Sequence, residues 1–112
     1  MDFTIKREKW IRGREGTLLL ENGCGCVLGH VCVQLGVSTE ALLGRCLPGS
    51  VARSSPEARL AMQPILDEDG LLSDWASVAM DLNDAPRIND GPRERRIAKE
   101  FRRAGHTLTF VD

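Results

Sequence analysis

Gly23-Cys24-Gly25-Cys26-Val27-Leu28-Gly29-His30-Val31-Cys32, running on through Val33-Gln34-Leu35-Gly36, is the stretch whose reading decides the fold. Val27, Leu28, Val31, Cys32 and Leu35 fall within one broad helical arc, and Gly36 stands where a C-terminal cap calls for φ > 0. The spacing predicts a central buried helix over residues 26–35. Cys26, His30 and Gln34 then share the opposite face at i, i+4 and i+8, as either a contact surface or a site.

Upstream, residues 16–20 form a compact β-prone run that ends in Glu21-Asn22-Gly23, a strong tight-turn signal. Phe3 and Ile5 alternate with polar neighbours as a short strand does, and residues 7–12 read as a brief helical segment closed by Gly13, with Trp10 anchoring it to the core. Downstream, Ser38 can cap a second short helix through Leu43 that Gly44 stops. Leu47-Pro48-Gly49-Ser50 reads as a loop, and Ser55-Pro56 as an N-cap and first turn of a helix that Pro64 blocks. After the acidic turn Asp67-Glu68-Asp69-Gly70, Ser73 caps a helix with Trp75, Val78, Ala79 and Leu82 as its inward stripe, ended by Asn83-Asp84-Ala85-Pro86.

Residues 83–92 have loop composition, and Pro92 opens the clearest helix, running to about Ala104. Ile97, Phe101 and Ala104 face its core side, Arg95, Arg96, Lys99, Arg102 and Arg103 the other, and Gly105 caps it. Residues 107–111 alternate as a strand that pairs with residues 17–20. The expected architecture is a single α+β domain over residues 1–112. A central cysteine-bearing helix and a basic C-terminal helix pack on a small antiparallel sheet made of the N-terminal, 17–20 and 107–111 strands.

A chain of 112 residues with a hydrophobic fraction of 42% supports one core but hardly two. The most apolar stretch, residues 27–43, is interrupted by Gly29, His30, Gln34, Gly36 and Glu40, so no membrane span is expected. MDFTIKREKW lacks the features of a secretory signal, which predicts a cytoplasmic protein whose Cys24, Cys26, Cys32 and Cys46 are reduced. A net charge of −1 gives no global attraction to nucleic acid or acidic lipid. Residues 60–86 nevertheless contain no Lys or Arg, while residues 87–103 hold the cations Arg87, Arg93, Arg95, Arg96, Lys99, Arg102 and Arg103. Mutual neutralisation of the two segments, or plain solvation, is the simpler expectation.

Three chemistries compete. A thiol hydrolase or transferase would use Cys26 at a helix N-terminus, where free amides favour thiolate, with His30 or His106 as base and Asn83 or Asp84 orienting it. That layout is similar in outline to papain-like hydrolases, a fold-level analogy. A metal site would draw on Cys24, Cys26, His30 and Cys46, but Cys46 has no second ligand nearby, so no metal or other cofactor is expected. Small buried inert thiols are the favoured reading. A binding surface would use Arg95, Arg96, Lys99, Arg102 and Arg103 toward an acidic protein or phosphate. With no tyrosine and three phenylalanines, there is little to stack bases on, and nucleic acid is not favoured.

Lys9-Trp10-Ile11-Arg12-Gly13, Leu18-Leu19, Cys26-Val27-Leu28-Gly29-His30-Val31-Cys32 and Leu82-Asn83-Asp84 ahead of Ile97-Ala98 together resemble a set of short phage and prophage proteins of uncharacterised function. Members carry a Trp-x-x-x-Leu-Arg start, a Cys-Cys-Leu-Gly-x-x-Cys helix and a Leu-Asn-Asp element before a terminal helix. This chain departs at Val27, where the pattern has a second cysteine, and its terminal helix is richer in arginine. The resemblance implies an accessory product of a mobile element that binds a host protein in the bacterial cytoplasm, components of host defence included. It implies no catalytic residue.

Overall fold

A computed structural model describes residues 1–112. The order is β1 (Asp2–Lys6), a 3₁₀ turn (Arg7–Lys9), α1 (Val27–Gln34), α2 (Thr39–Leu42), α3 (Pro48–Ser54), α4 (Pro56–Ala61), a second 3₁₀ turn (Gln63–Ile65), α5 (Asp74–Asp84), α6 (Asp90–Arg103) and β2 (Thr107–Val111). The helices surround one continuous core of 22 apolar side chains, among them Phe3, Ile5, Leu18, Leu28, Val31, Ile97 and Phe101. Helices and a two-stranded sheet around a single core agree with the expected α+β class.

The sheet itself corrects the expectation. It has two strands, not three, and they are parallel: Asp2 lies opposite Thr107 and Lys6 opposite Val111. A parallel pair needs a crossover, and here every helix of the chain lies between its two strands. Residues 17–20 do not join. Leu18 and Leu19 are both buried, so the run has no alternating face to lay on a sheet. It crosses α1 instead, held by Leu18 N–H to the Arg45 carbonyl and Cys26 N–H to the Thr17 carbonyl. Gly25 and Gly29 make this crossing feasible, because a Cβ on either would collide with the Leu18 carbonyl.

α1 starts and stops as its pattern requires, with Cys26 as N-cap and Gly36 at φ 94°. Ser38 and Ser55 accept from the amides of Ala41 and Ala58 as caps. Four local readings change. Residues 47–50 are no loop: Pro48 begins α3, since its fixed φ suits a first helical position. The segment at residues 7–12 is helical only over Arg7–Lys9, after which Trp10 is extended and bridges to Gly25. α6 begins at Asp90, so Pro92 lies inside its first turn. The buried stripe of α5 is Ala76, Ala79 and Asn83, and Val78 is exposed. The small alanines let α5 approach α1 and α6, while Trp75 packs half-buried against the edge of Phe101 at 4.9 Å.

Candidate functional site

Cys26, His30 and His106 are not brought together. Cys26 caps α1 without a side-chain capping bond and is 3% exposed. Burial pushes its thiol up to about 11, outweighing the nearby amides of Leu28 and Gly29 that favour thiolate. His30 lies one turn along, but its Nε2 donates to the Lys9 carbonyl at 2.8 Å. His106 immediately precedes β2, takes a hydrogen bond at Nδ1 from the terminal ammonium of Met1 (3.2 Å) and packs against Phe3 and Trp75. Burial, then the charge of that ammonium, lowers its pKa. Neither ring forms a hydrogen bond with the Cys26 sulfur. Cys24, Cys32 and Cys46 are also free thiols; Cys32 is fully buried and pushed up to about 12 by desolvation. No three His, Cys, Asp or Glu side chains converge as metal ligands would.

Asn83 orients no histidine. It is fully buried, and its Oδ1 accepts from the Trp10 indole (2.6 Å) and the Val27 amide (3.1 Å). Its Nδ2 donates to the Ile11 carbonyl and to Asp84 Oδ1, both at 3.0 Å. Arg93 completes this polar hub from α6. Its Nη1 donates to the carbonyls of Leu82, Asn83 and Ala85, and its Nη2 to that of Ile88 at 2.5 Å. The first three carbonyls end α5 and that of Ile88 immediately precedes α6, so a guanidinium with its donors in a fixed fork serves as the C-cap that no glycine supplies and ties the α5–α6 connection to it; the Asn83 carbonyl also accepts from Gly13 N–H. Only Arg93 Nε lacks a hydrogen bond, lying 3.6 Å from an Asp90 carboxylate oxygen. Sequence reading missed this role. The signal was present, since Arg93 shares the face of Ile97 and Glu100 at i+4 and i+7 and not that of the other arginines.

The predicted basic face divides. Arg103 turns back to Glu100 at 3.0 Å and borders the groove between α5 and α6. Arg95, Arg96, Lys99 and Arg102 are exposed and line, with Pro92, a shallow groove of about 430 Å³. None of the four has an ion-pair partner. The acidic groups near α6 are engaged elsewhere: Glu94 takes Arg7 in a two-bond pair, and Asp90 takes Arg12 at 2.9 Å. Arg12, the first cause, holds the Asp90 carboxyl below its usual range. The carboxylates of residues 67–84 form no ion pair with α6, so of the two expected outcomes, mutual neutralisation or plain solvation, the charges follow the second. A separate cleft of about 410 Å³, which sequence reading also missed, opens beside His30 between Leu19, Leu20, Val33, Thr39 and Leu43.

No helix is long and apolar enough to cross a membrane. No family model, no curated protein and no solved structure matches this chain.

Proposed function

We propose that this chain is a small accessory protein of phage or prophage origin that binds and modulates a host macromolecule without catalysing a reaction, in the cytoplasm of a bacterial host. Its docking surface is the outer face of α6, and its partner is an acidic host protein, with host defence machinery among the candidates. One observation carries the reading: Arg95, Arg96, Lys99 and Arg102 converge on one groove with no carboxylate of the chain to neutralise them. Four unpaired cations on one face raise the local potential, which steers acidic partners and fixes register. The protonated, buried Cys26 thiol without a histidine accords with a protein that works by contact. Phosphate would answer the same charges, but both tryptophans and all three phenylalanines are buried or half-buried, leaving no aromatic platform for bases.

The test is retention of bacterial lysate proteins on the immobilised chain after nuclease treatment, washed with rising salt. Screening shortens from about 10 Å at 0.1 M to about 3 Å at 1 M salt, so an electrostatic complex should elute between those concentrations. Loss of all retained protein on nuclease treatment, with duplex DNA binding in its place, would transfer the face to nucleic acid. Retention that survives 1 M salt would detach the partner from this face.

A further inference from the structure

The two edges of the sheet are treated differently. Thr107 N–H bonds the Met1 carbonyl, so Thr107, Thr109 and Val111 direct their peptide groups at β1, and Leu108 and Phe110 direct theirs outward. On β1 the outward residues are Asp2, Thr4 and Lys6; the outer two carry charged side chains, and Gln34 from α1 seals the middle one. Its Oε1 accepts from Thr4 N–H at 3.0 Å and its Nε2 donates to the Thr4 carbonyl at 2.6 Å, as a neighbouring strand would. Nothing does this for β2. Leu108 and Phe110 turn their side chains to the core, Leu108 being 7% exposed, but their N–H and C=O have no partner in the chain, and Thr107–Val111 contains no charge, proline or bulge to blunt the edge. An unpartnered peptide group in a folded protein is left to water or to another chain.

What lies beside this open edge indicates the occupant. α1 stands against β1, α5 packs on α1 and α6, and α6 packs on β2. Arg93 and Glu100 mark the flank of α6 turned to α5, through the Leu82 and Asn83 carbonyls and through the groove shared with Trp75 and Val78. Arg95 and Arg102 lie on the opposite flank at 100° per residue, away from α5, on a helix that itself packs on β2. A strand added at the open edge would place every second side chain on the helix side of the sheet, within the field of these two cations.

We propose that the open edge of β2 takes an extended acidic segment of the partner protein as a third strand, with carboxylates at every second position meeting Arg95 and Arg102. This rests on the reading of α6 as the docking face and specifies how the partner is held. Backbone ladder bonds to Leu108 and Phe110 give the affinity, and the alternating charge gives the specificity.

The experiment titrates the ¹⁵N-labelled protein with a short peptide alternating glutamate and valine. Two twins of the peptide are each N-methylated on one of its two sets of alternate amides. One set faces β2 and the other faces water, so one twin should bind about tenfold more weakly and the other nearly as well as the parent. The parent should also slow exchange of the Leu108 and Phe110 amides. Equal binding by both twins, abolished by the double substitution R95E/R102E, overturns strand addition and leaves the cationic docking face standing. Twin-selective binding indifferent to R95E/R102E overturns the acidic partner and the docking face with it. Slow exchange at Leu108 and Phe110 in the free protein, together with a dimeric sedimentation mass, assigns the edge to a second copy and overturns the proposal.

Discussion

Arg93 and Arg102 belong to the same helix, and their surroundings are opposite. Arg93 is 2% exposed and its two Nη atoms donate to four backbone carbonyls, whereas Arg102 is exposed and touches no acid. The first closes the end of α5 and, through the Asn83 carbonyl, joins the hub that ties Trp10, the start of α1 and α5. The second is one of the four cations left over. The pair shows why counting arginines on a helix overstates a binding surface: charge that satisfies buried backbone is unavailable to a partner, and charge that satisfies nothing within the chain is available. Stability therefore rests on the Asn83 and Arg93 hub, and the outer face of α6 is the proposed binding surface.

The largest expected effect comes from breaking the hub. Asn83→Ala strands the Trp10 indole, the Val27 amide and the Ile11 carbonyl, and should lower unfolding free energy by about 4 kcal/mol. Arg93→Met should lose a similar amount by orphaning the end of α5. Against a typical total of about 5–15 kcal/mol, either change is readily seen in a denaturant titration. A loss under 1 kcal/mol for both would mean that the hub does not hold the fold. Next comes Gly29→Ala, which drives a methyl group into the Leu18 carbonyl and should cost about 2–3 kcal/mol, measured in the same way.

A smaller, chemical effect separates the thiols. Cys46 is exposed, while burial holds Cys26 and Cys32 protonated at neutral pH. Brief alkylation of the native protein followed by peptide mass analysis should label Cys46 first and reach Cys26 and Cys32 only on unfolding. Labelling of Cys26 as fast as Cys46 at pH 7 would reopen the thiol chemistry. The smallest effect is a pH dependence from His106. Its folded pKa is depressed, so its contribution is present above the unfolded value of about 6.5 and is lost as pH falls from there through the folded pKa. Wild type should lose slightly more stability than His106→Gln over that window, and identical pH profiles would remove the effect.

Elements governed by short-range rules were legible in the sequence. The α1 pattern with Gly36, the Ser38 and Ser55 caps, and the apolar face of Ile97 and Phe101 all stand in the structure. What was not legible depended on partners distant along the chain. Leu18-Leu19 has strand composition, but only the gap above Gly25 and Gly29 decides that it crosses a helix. Parallel pairing of β1 with β2 joins segments about a hundred residues apart, beyond any turn signal. The inward face of α5 was misplaced because Asn83, polar and near a helix end, reads as a terminator until the Trp10 indole is found against it. Of the candidate site, the outer cations were visible as a helical stripe, whereas the diversion of Arg93 and Arg103 to local partners appears only in three dimensions.

The most direct test of the division between hub and face is the double substitution K99E/R102E, followed by thermal melting and by retention of the proposed acidic partner at low salt. These side chains touch no acid within the chain, so the variant should melt within about 0.5 kcal/mol of wild type in stability and lose the partner. A variant that folds as wild type and still retains the partner would contradict the account.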